Sequence, residues 1–297
     1  MVSEKSLKRA EPDWRLKKCA KRNVVAKVDE ESDSHLIRRW EEMNHEILVS
    51  IMKRLGVLDL IFSICFVCKS WLDATLDTFF PPQDVFSLSD FPLLLGSSSY
   101  NRRVQRRRFW RMVELHLNRD QARLHTKLVL PCIRLNKYGY LYIAKRLPSL
   151  RSLSLHMDSL RLRRPFLSVA SYWKGLVEVE CFGSCVKIVS ELWNQIHTLR
   201  LLGEVQVTDA VVIARNFPRL THLSLKKCTL MDNALSLILE GQKNLIYLDT
   251  THALLREKNV CWAKDWDEDL LLKASRVTQY LRCEMRNCRY CYKSYSL

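Results

Sequence analysis

From Ile47 the apolar positions fall at 47, 48, 51, 52 and 55, with Glu46, Ser50, Lys53 and Arg54 opposite, the stripe of an amphipathic helix. A second stripe follows at Leu60, Ile64, Val67 with Cys68, and Trp71. Gly56 stands where a glycine would close the first helix, and Asp59 where an acid would cap the second. Residues 40–77 therefore read as two or three short helices. So small a unit cannot bury both stripes internally, and one is left for the rest of the chain or for a partner. A membrane span does not explain it. The uncharged run from Leu60 to Cys68 is nine residues, against roughly 20 for a helix that crosses a bilayer.

Farther along the pattern becomes L-x-x-L-x-L. It recurs at Leu150/Leu153/Leu155, Leu176/Val179/Cys181, Ile196/Leu199/Leu201, Leu220/Leu223/Leu225 and Leu245/Leu248/Thr250, with a weaker copy at His125/Leu128/Leu130. The anchors step by 25, 26, 20, 24 and 25 residues. The octapeptide IAKRLPSL (143–150) returns as IARNFPRL (213–220). Between the phrases lie helix-like stretches such as TDAVVIARNF and MDNALSLILEGQ, with Thr208 and Asp232 placed to cap them. A fixed step of this length is the mark of a solenoid. The stretch VTDAVVIARNFPRLTHLSLKKC is similar to the cysteine-containing subclass of leucine-rich repeats, with Cys228 in the turn after the strand. In such a fold each unit buries its leucines against its neighbours, and the strand residues between them line one face.

The order of residues in the helical segment carries a second resemblance. Trp40-Glu-Glu-Met43, Glu46-Ile47-Leu48, Ile51, Leu55, Asp59-Leu60 and Val67-Cys68-Lys69-Ser70-Trp71 resemble the F-box. Met43-Asn44 departs from that family's usual Leu-Pro and removes a stiff lead into the first helix. The resemblance implies a three-helix module that docks on a Skp-type adaptor and, through it, a cullin. Its expected adaptor-binding residues are Met43, Asn44, Glu46, Ile47, Ile51, Leu55, Leu60, Val67 and Trp71, with Trp71 also pinning the small helices together. The expected architecture is mixed α and α/β. A basic tail (1–34) and the F-box (35–80) lead into a linker with an Arg-rich segment (81–112). A repeat solenoid with a curved parallel sheet and outer helices (113–260) and a C-terminal cap (261–297) complete it.

Composition then narrows the chemistry. The chain has 297 residues, 48 Lys and Arg against 32 Asp and Glu, and a net charge of +16. Much of that excess is local. Residues 1–27 hold nine basic against three acidic side chains, and RRVQRRRFWR (102–111) holds six arginines. The N-terminal cluster suits a nuclear import signal or a solvated tail, and the Arg-rich run suits one solvated helix face with Phe109 and Trp110 in the core. The outward strand slots Lys127, Val129, Ser152, Ser154, Glu178, Glu180, Thr198, Arg200, His222, Ser224, Tyr247 and Asp249 are mixed in charge. A groove for a nucleic-acid backbone would be dominated by Lys and Arg. A protein target is therefore expected on Glu178, Glu180, Arg200, His222, Tyr247 and Asp249, and nucleic-acid binding or scaffolding through the arginines is the alternative.

Catalysis has no footing. The seven glycines form neither G-x-G-x-x-G nor a P-loop, and His45-Glu46 lacks the second histidine of H-E-x-x-H because position 49 is Val. No cofactor is implied. Eleven cysteines, no N-x-S/T acceptor and no apolar leader at the N-terminus fit reduced thiols in cytosol or nucleus. Cys283, Cys288 and Cys291 form C-x4-C-x2-C, to which Cys261 or His252 would have to add a fourth metal ligand. Buried thiols are the plainer reading there.

Overall fold

The computed structural model describes residues 40–81, 83–89, 99–130, 135, 137–156, 166–256, 263–264, 267–283 and 288. The basic N-terminal cluster, Cys261 and Cys291 lie outside them. Glu41–Leu297 forms one compact unit.

Eight strands make one parallel sheet in the order β1-β2-β3-β4-β5-β7-β9-β12. They are β1 (Val85–Ser87), β2 (Lys127–Leu130), β3 (Ser152–Leu155), β4 (Glu178–Phe182), β5 (Thr198–Leu202), β7 (His222–Ser224), β9 (Tyr247–Asp249) and β12 (Gln279–Leu281). The alternation in L-x-L decides which way each side chain points. Leu128, Leu153, Val179, Leu199, Leu223 and Leu248 are level with one another across the sheet and wholly buried. Each contributes about 1.5–3 kcal/mol by leaving water. A smaller sheet of short strands, in the order β11-β10-β8-β6, follows the main one: β6 (Glu204–Val205), β8 (Thr229–Met231), β10 (Leu254–Arg256) and β11 (Ala263–Lys264).

Helices return the chain between strands. They are α5 (Lys137–Arg146), α6 (Val186–Leu192), α7 (Val207–Asn216), α8 (Ala234–Gly241) and α9 (Glu268–Ala274), and α6 to α9 pack side by side. Their caps lie one or two residues from the expected Thr208 and Asp232. Gln206 caps α7, its backbone N–H donating to Asp209 Oδ2 at 3.0 Å, and Asn233 caps α8. The buried Gln242 amide donates to the carbonyls of Ile213 (2.6 Å) and Phe217 (3.3 Å), closing the end of α7 from the next unit.

The turn after β5, β7 and β9 repeats as well. Gly203, Lys227 and His252 each stand five residues past the start of the strand and share a left-handed backbone, with φ of 71°, 59° and 60°. Cys228 follows that turn, wholly buried, and its Sγ donates to Leu201 O at 3.1 Å. Burial pushes its thiol up to about 12, so it is a packing group and not a nucleophile.

The segment expected as a linker is built into the solenoid. β1 opens the sheet, and the Arg-rich run lies in α4 (Ser99–Leu117), with Phe109 and Val113 buried in the common core. At the other end β12 and α9 lie within the expected cap, so the repeat pattern runs past 260.

Candidate functional site

The helical segment consists of α1 (His45–Met52), α2 (Val57–Phe62), a tight turn at Ile64–Phe66 and α3 (Lys69–Phe79). Leu48, Met52, Leu60 and Ala74 form its small core, and Met43, Trp71 and Phe79 pack against it. Trp71 thus sits among the helices it was expected to pin. Asn44 takes the helix cap. Its Oδ1 accepts from Glu46 N–H at 2.8 Å, which gives α1 a defined start in place of a proline. Gly56 is not a closing glycine. Its backbone is extended and it caps α2, which puts Asp59 inside the first turn.

α1 has two apolar stripes. Leu48 and Met52 are each 1% exposed, while Ile47, Ile51 and, three residues past the helix end, Leu55 are 54%, 41% and 38% exposed. Val57, Leu58, Phe66 and Val67 are exposed too. Among the expected adaptor residues, Ile47, Ile51, Leu55, Val67 and the polar Asn44 and Glu46 face outward, and Met43 and Trp71 are half-buried. Leu60 departs from expectation. At 2% exposed it belongs to the module's own core, because α2 begins at Val57 and turns Leu60 inward. Val57, Leu58 and Phe66 join the outward set, and their hydrophobicity in so small a unit was the available signal.

The module is fastened to the solenoid. Ile61, Leu76 and Phe80 enter the repeat core, where Phe80 packs on Phe86 at 5.2 Å. Arg108 of α4 donates to Phe62 O at 3.1 Å, and its guanidinium lies 4.6 Å from the Phe62 ring centre. Asp77 of α3 accepts from Arg119 at 2.5 Å and pairs with His45 at 2.8 Å. Beneath this joint His116 and His125 are buried edge to edge with their rings tilted by 37°, their Nε2 atoms 2.8 Å apart. His125 Nδ1–H donates to Gln83 O (2.7 Å), so its Nε2 accepts the proton that His116 offers. Burial and the neighbouring His125 lower His116 to about 3, and burial lowers His125.

On the sheet, Glu178, Thr198, His222 and Tyr247 form one outward row and Glu180, Arg200, Ser224 and Asp249 the next. Arg200 pairs diagonally with Glu178. Glu180 accepts from Ser154 Oγ at 3.0 Å, and the rings of His222 and Tyr247 stack at 5.8 Å. Two expectations change. Ser152 and Ser154 are buried, so β3 interrupts the open face between Lys127 and Val129 of β2 and the row on β4. Asp249, 7% exposed, accepts from Thr251 N–H at 2.9 Å and shapes the turn behind β9. The C-terminal thiols Cys283 and Cys288 meet His252.

The F-box domain family matches residues 40–80. An F-box/LRR-repeat protein of Arabidopsis thaliana is 23% identical over 282 residues, which is 90% of this chain and 91% of that protein. The F-box protein SKIP19 of the same plant is 29% identical over 223 residues, 71% of this chain and 68% of its own. Among solved structures, the leucine-rich repeat-containing protein LegL7 from Legionella pneumophila aligns over 80% of this chain and 78% of its own, at 12% identity. The TM-score of that alignment is 0.37. The chain thus carries an F-box domain at 40–80, followed by successive strand–helix units, and is similar along nearly its whole length to an F-box/LRR-repeat protein.

Proposed function

We propose that the protein is the substrate receptor of a Skp–cullin–F-box ubiquitin ligase. The observation that carries this reading is the outward Ile47 and Ile51 of α1, continued by Leu55 in the turn just past it, on a helix whose other side is already satisfied by Leu48 and Met52. Apolar side chains held in the open at helical spacing suit a partner's groove. The F-box implies that this partner is a Skp-type adaptor, with the cullin reached through it. The row from Glu178 to Tyr247 would then hold a target protein, with Tyr247 and Arg200 as anchors.

Such a receptor performs no chemistry itself. It raises the target's effective concentration beside the transferring enzyme. The fastened joint supports that role, since F-box and solenoid share one core and a bound target would keep a set position relative to the adaptor. The nucleic-acid alternative loses part of its footing, because Arg108 is engaged with the F-box and Phe109 is buried.

The test is reconstitution. The full chain is mixed with a Skp-type adaptor and the complex with a cullin. Stable co-elution of all three supports the reading. An intact, folded chain that elutes apart from the adaptor at micromolar concentration overturns it.

A further inference from the structure

His252, Cys283 and Cys288 bring one imidazole nitrogen and two sulfurs within 4.8 Å of one another. They come from separate places in the chain. His252 is in the turn after β9, Cys283 lies two residues beyond β12, and Cys288 follows farther on. Cys288 is 2% exposed, with its Sγ 3.4 Å from His252 Nδ1. A tetrahedral zinc, with bonds of about 2.3 Å to sulfur and about 2.0–2.1 Å to nitrogen, holds a sulfur and a nitrogen roughly 3.6 Å apart. The Cys288–His252 spacing meets that frame to within a few tenths of an ångström. Two thiols and an imidazole are soft and borderline donors, the set that takes zinc and leaves magnesium or calcium aside.

The location gives such an ion a purpose. The left-handed turn at His252 is common to three units, filled by Gly203 and Lys227 in the two before it. What is particular to this unit is an imidazole at that corner, beside the last described strand of the sheet. Among the described residues β12 pairs with β9 alone, and its Leu281 is 47% exposed. The last unit of a solenoid needs a cap, since no following unit covers it. We propose that His252, Cys283 and Cys288 bind a structural zinc ion that ties the segment after β12 to the preceding turn and closes the end of the solenoid. The two thiols bind as thiolates and release their protons as the metal enters. Cys291 stands at the C-x2-C spacing from Cys288 but lies outside the described residues, and the three-ligand assignment does not depend on it.

The full chain, isolated with reductant and without chelator, is assayed for zinc by mass spectrometry before and after zinc addition and desalting. About one zinc per chain is expected. The double variant His252→Ala/Cys288→Ser should bind zinc at least about tenfold more weakly and lose it on desalting, since even changes outside the ligand shell cost that much affinity. Cys19→Ser, which removes a thiol far away in sequence, should keep it. Cobalt in place of zinc should give thiolate-to-metal charge transfer and the intense visible bands of a tetrahedral site. Chelation should lower the parent's melting temperature and zinc, not magnesium, restore it, a reading that stands even where the variant fails to fold. Absence of zinc after addition, zinc kept by the folded double variant, an octahedral cobalt spectrum, or a Cys283–Cys288 disulfide in protein trapped at lysis would each overturn the site.

Discussion

The buried pair His116–His125 makes stability depend on pH in a calculable way. Both rings lie at the joint between F-box and solenoid, each 1% exposed, with Asp77 and Arg119 near His116 and Asp84 near His125. An imidazole ordinarily titrates near 6.5, and His116 does so at about 3 in the fold. The unfolded chain therefore binds the proton first, and stability present above pH 6.5 is lost as pH falls toward 3. At pH 5.5 the loss is about 1.4 kcal/mol for His116. His125 shifts in the same direction and adds to the loss, and the His116 share alone is roughly 3–6 °C in melting temperature for a chain of this size. Urea unfolding at about pH 7.5 and 5.5 reads this directly. His116→Gln keeps a donor toward His125 but cannot titrate, so its loss should be smaller than the parent's by about 1.4 kcal/mol. Parallel pH dependence in parent and variant would refute the reasoning, because a ring buried without its proton must titrate below an exposed one.

Arg108→Ala removes both the bond to Phe62 O and the ring contact, and should lower global stability by about 1.5–3 kcal/mol in urea unfolding. Gly241→Val should destabilise by several kcal/mol, because a Cβ at position 241 would stand 2.3 Å from Ala214 Cβ where α8 meets α7; differential scanning calorimetry checks it. Tyr247→Ala and Arg200→Glu should strip target proteins from affinity-purified complexes, at about 1–3 kcal/mol for a Tyr anchor, and leave adaptor binding unchanged. Retention of every parental partner would count against this face.

The sheet was legible in the sequence because its cause is local. Each L-x-L phrase fixes two inward side chains, and all six phrases are buried where the spacing put them, down to the misfit Thr250 at 1%. The weak copy at His125 holds for the same reason, with a histidine pair where a leucine would be. What escaped was whatever a neighbouring element decides. β1 is three residues long, too short to show alternation, and only its pairing with β2 makes it a strand. Leu60 and Ile64 share a stripe with Val67, but the break between α2 and α3 turns Leu60 in and Val67 out. Asp249 carries the register of an outward residue, yet the turn beneath it claims its carboxylate. At the C-terminus the cysteine spacing was plain, and His252 stood beside Cys261 as one of two possible partners. Placing it opposite Cys283 and Cys288 took the fold.

The central claim is that the outward stripe of α1 is a docking surface. Ile51, 41% exposed, is the residue to change, because a charge there costs the isolated fold little. Its cost falls on the complex, where an unpaired carboxylate in an apolar contact is unfavourable by several kcal/mol. Titration of the full chain, parent and Ile51→Asp, with a Skp-type adaptor should show affinity reduced by about 100-fold or more, with the melting temperature of the free protein within a degree or two of the parent. Equal adaptor affinity in a folded Ile51→Asp protein would contradict the account.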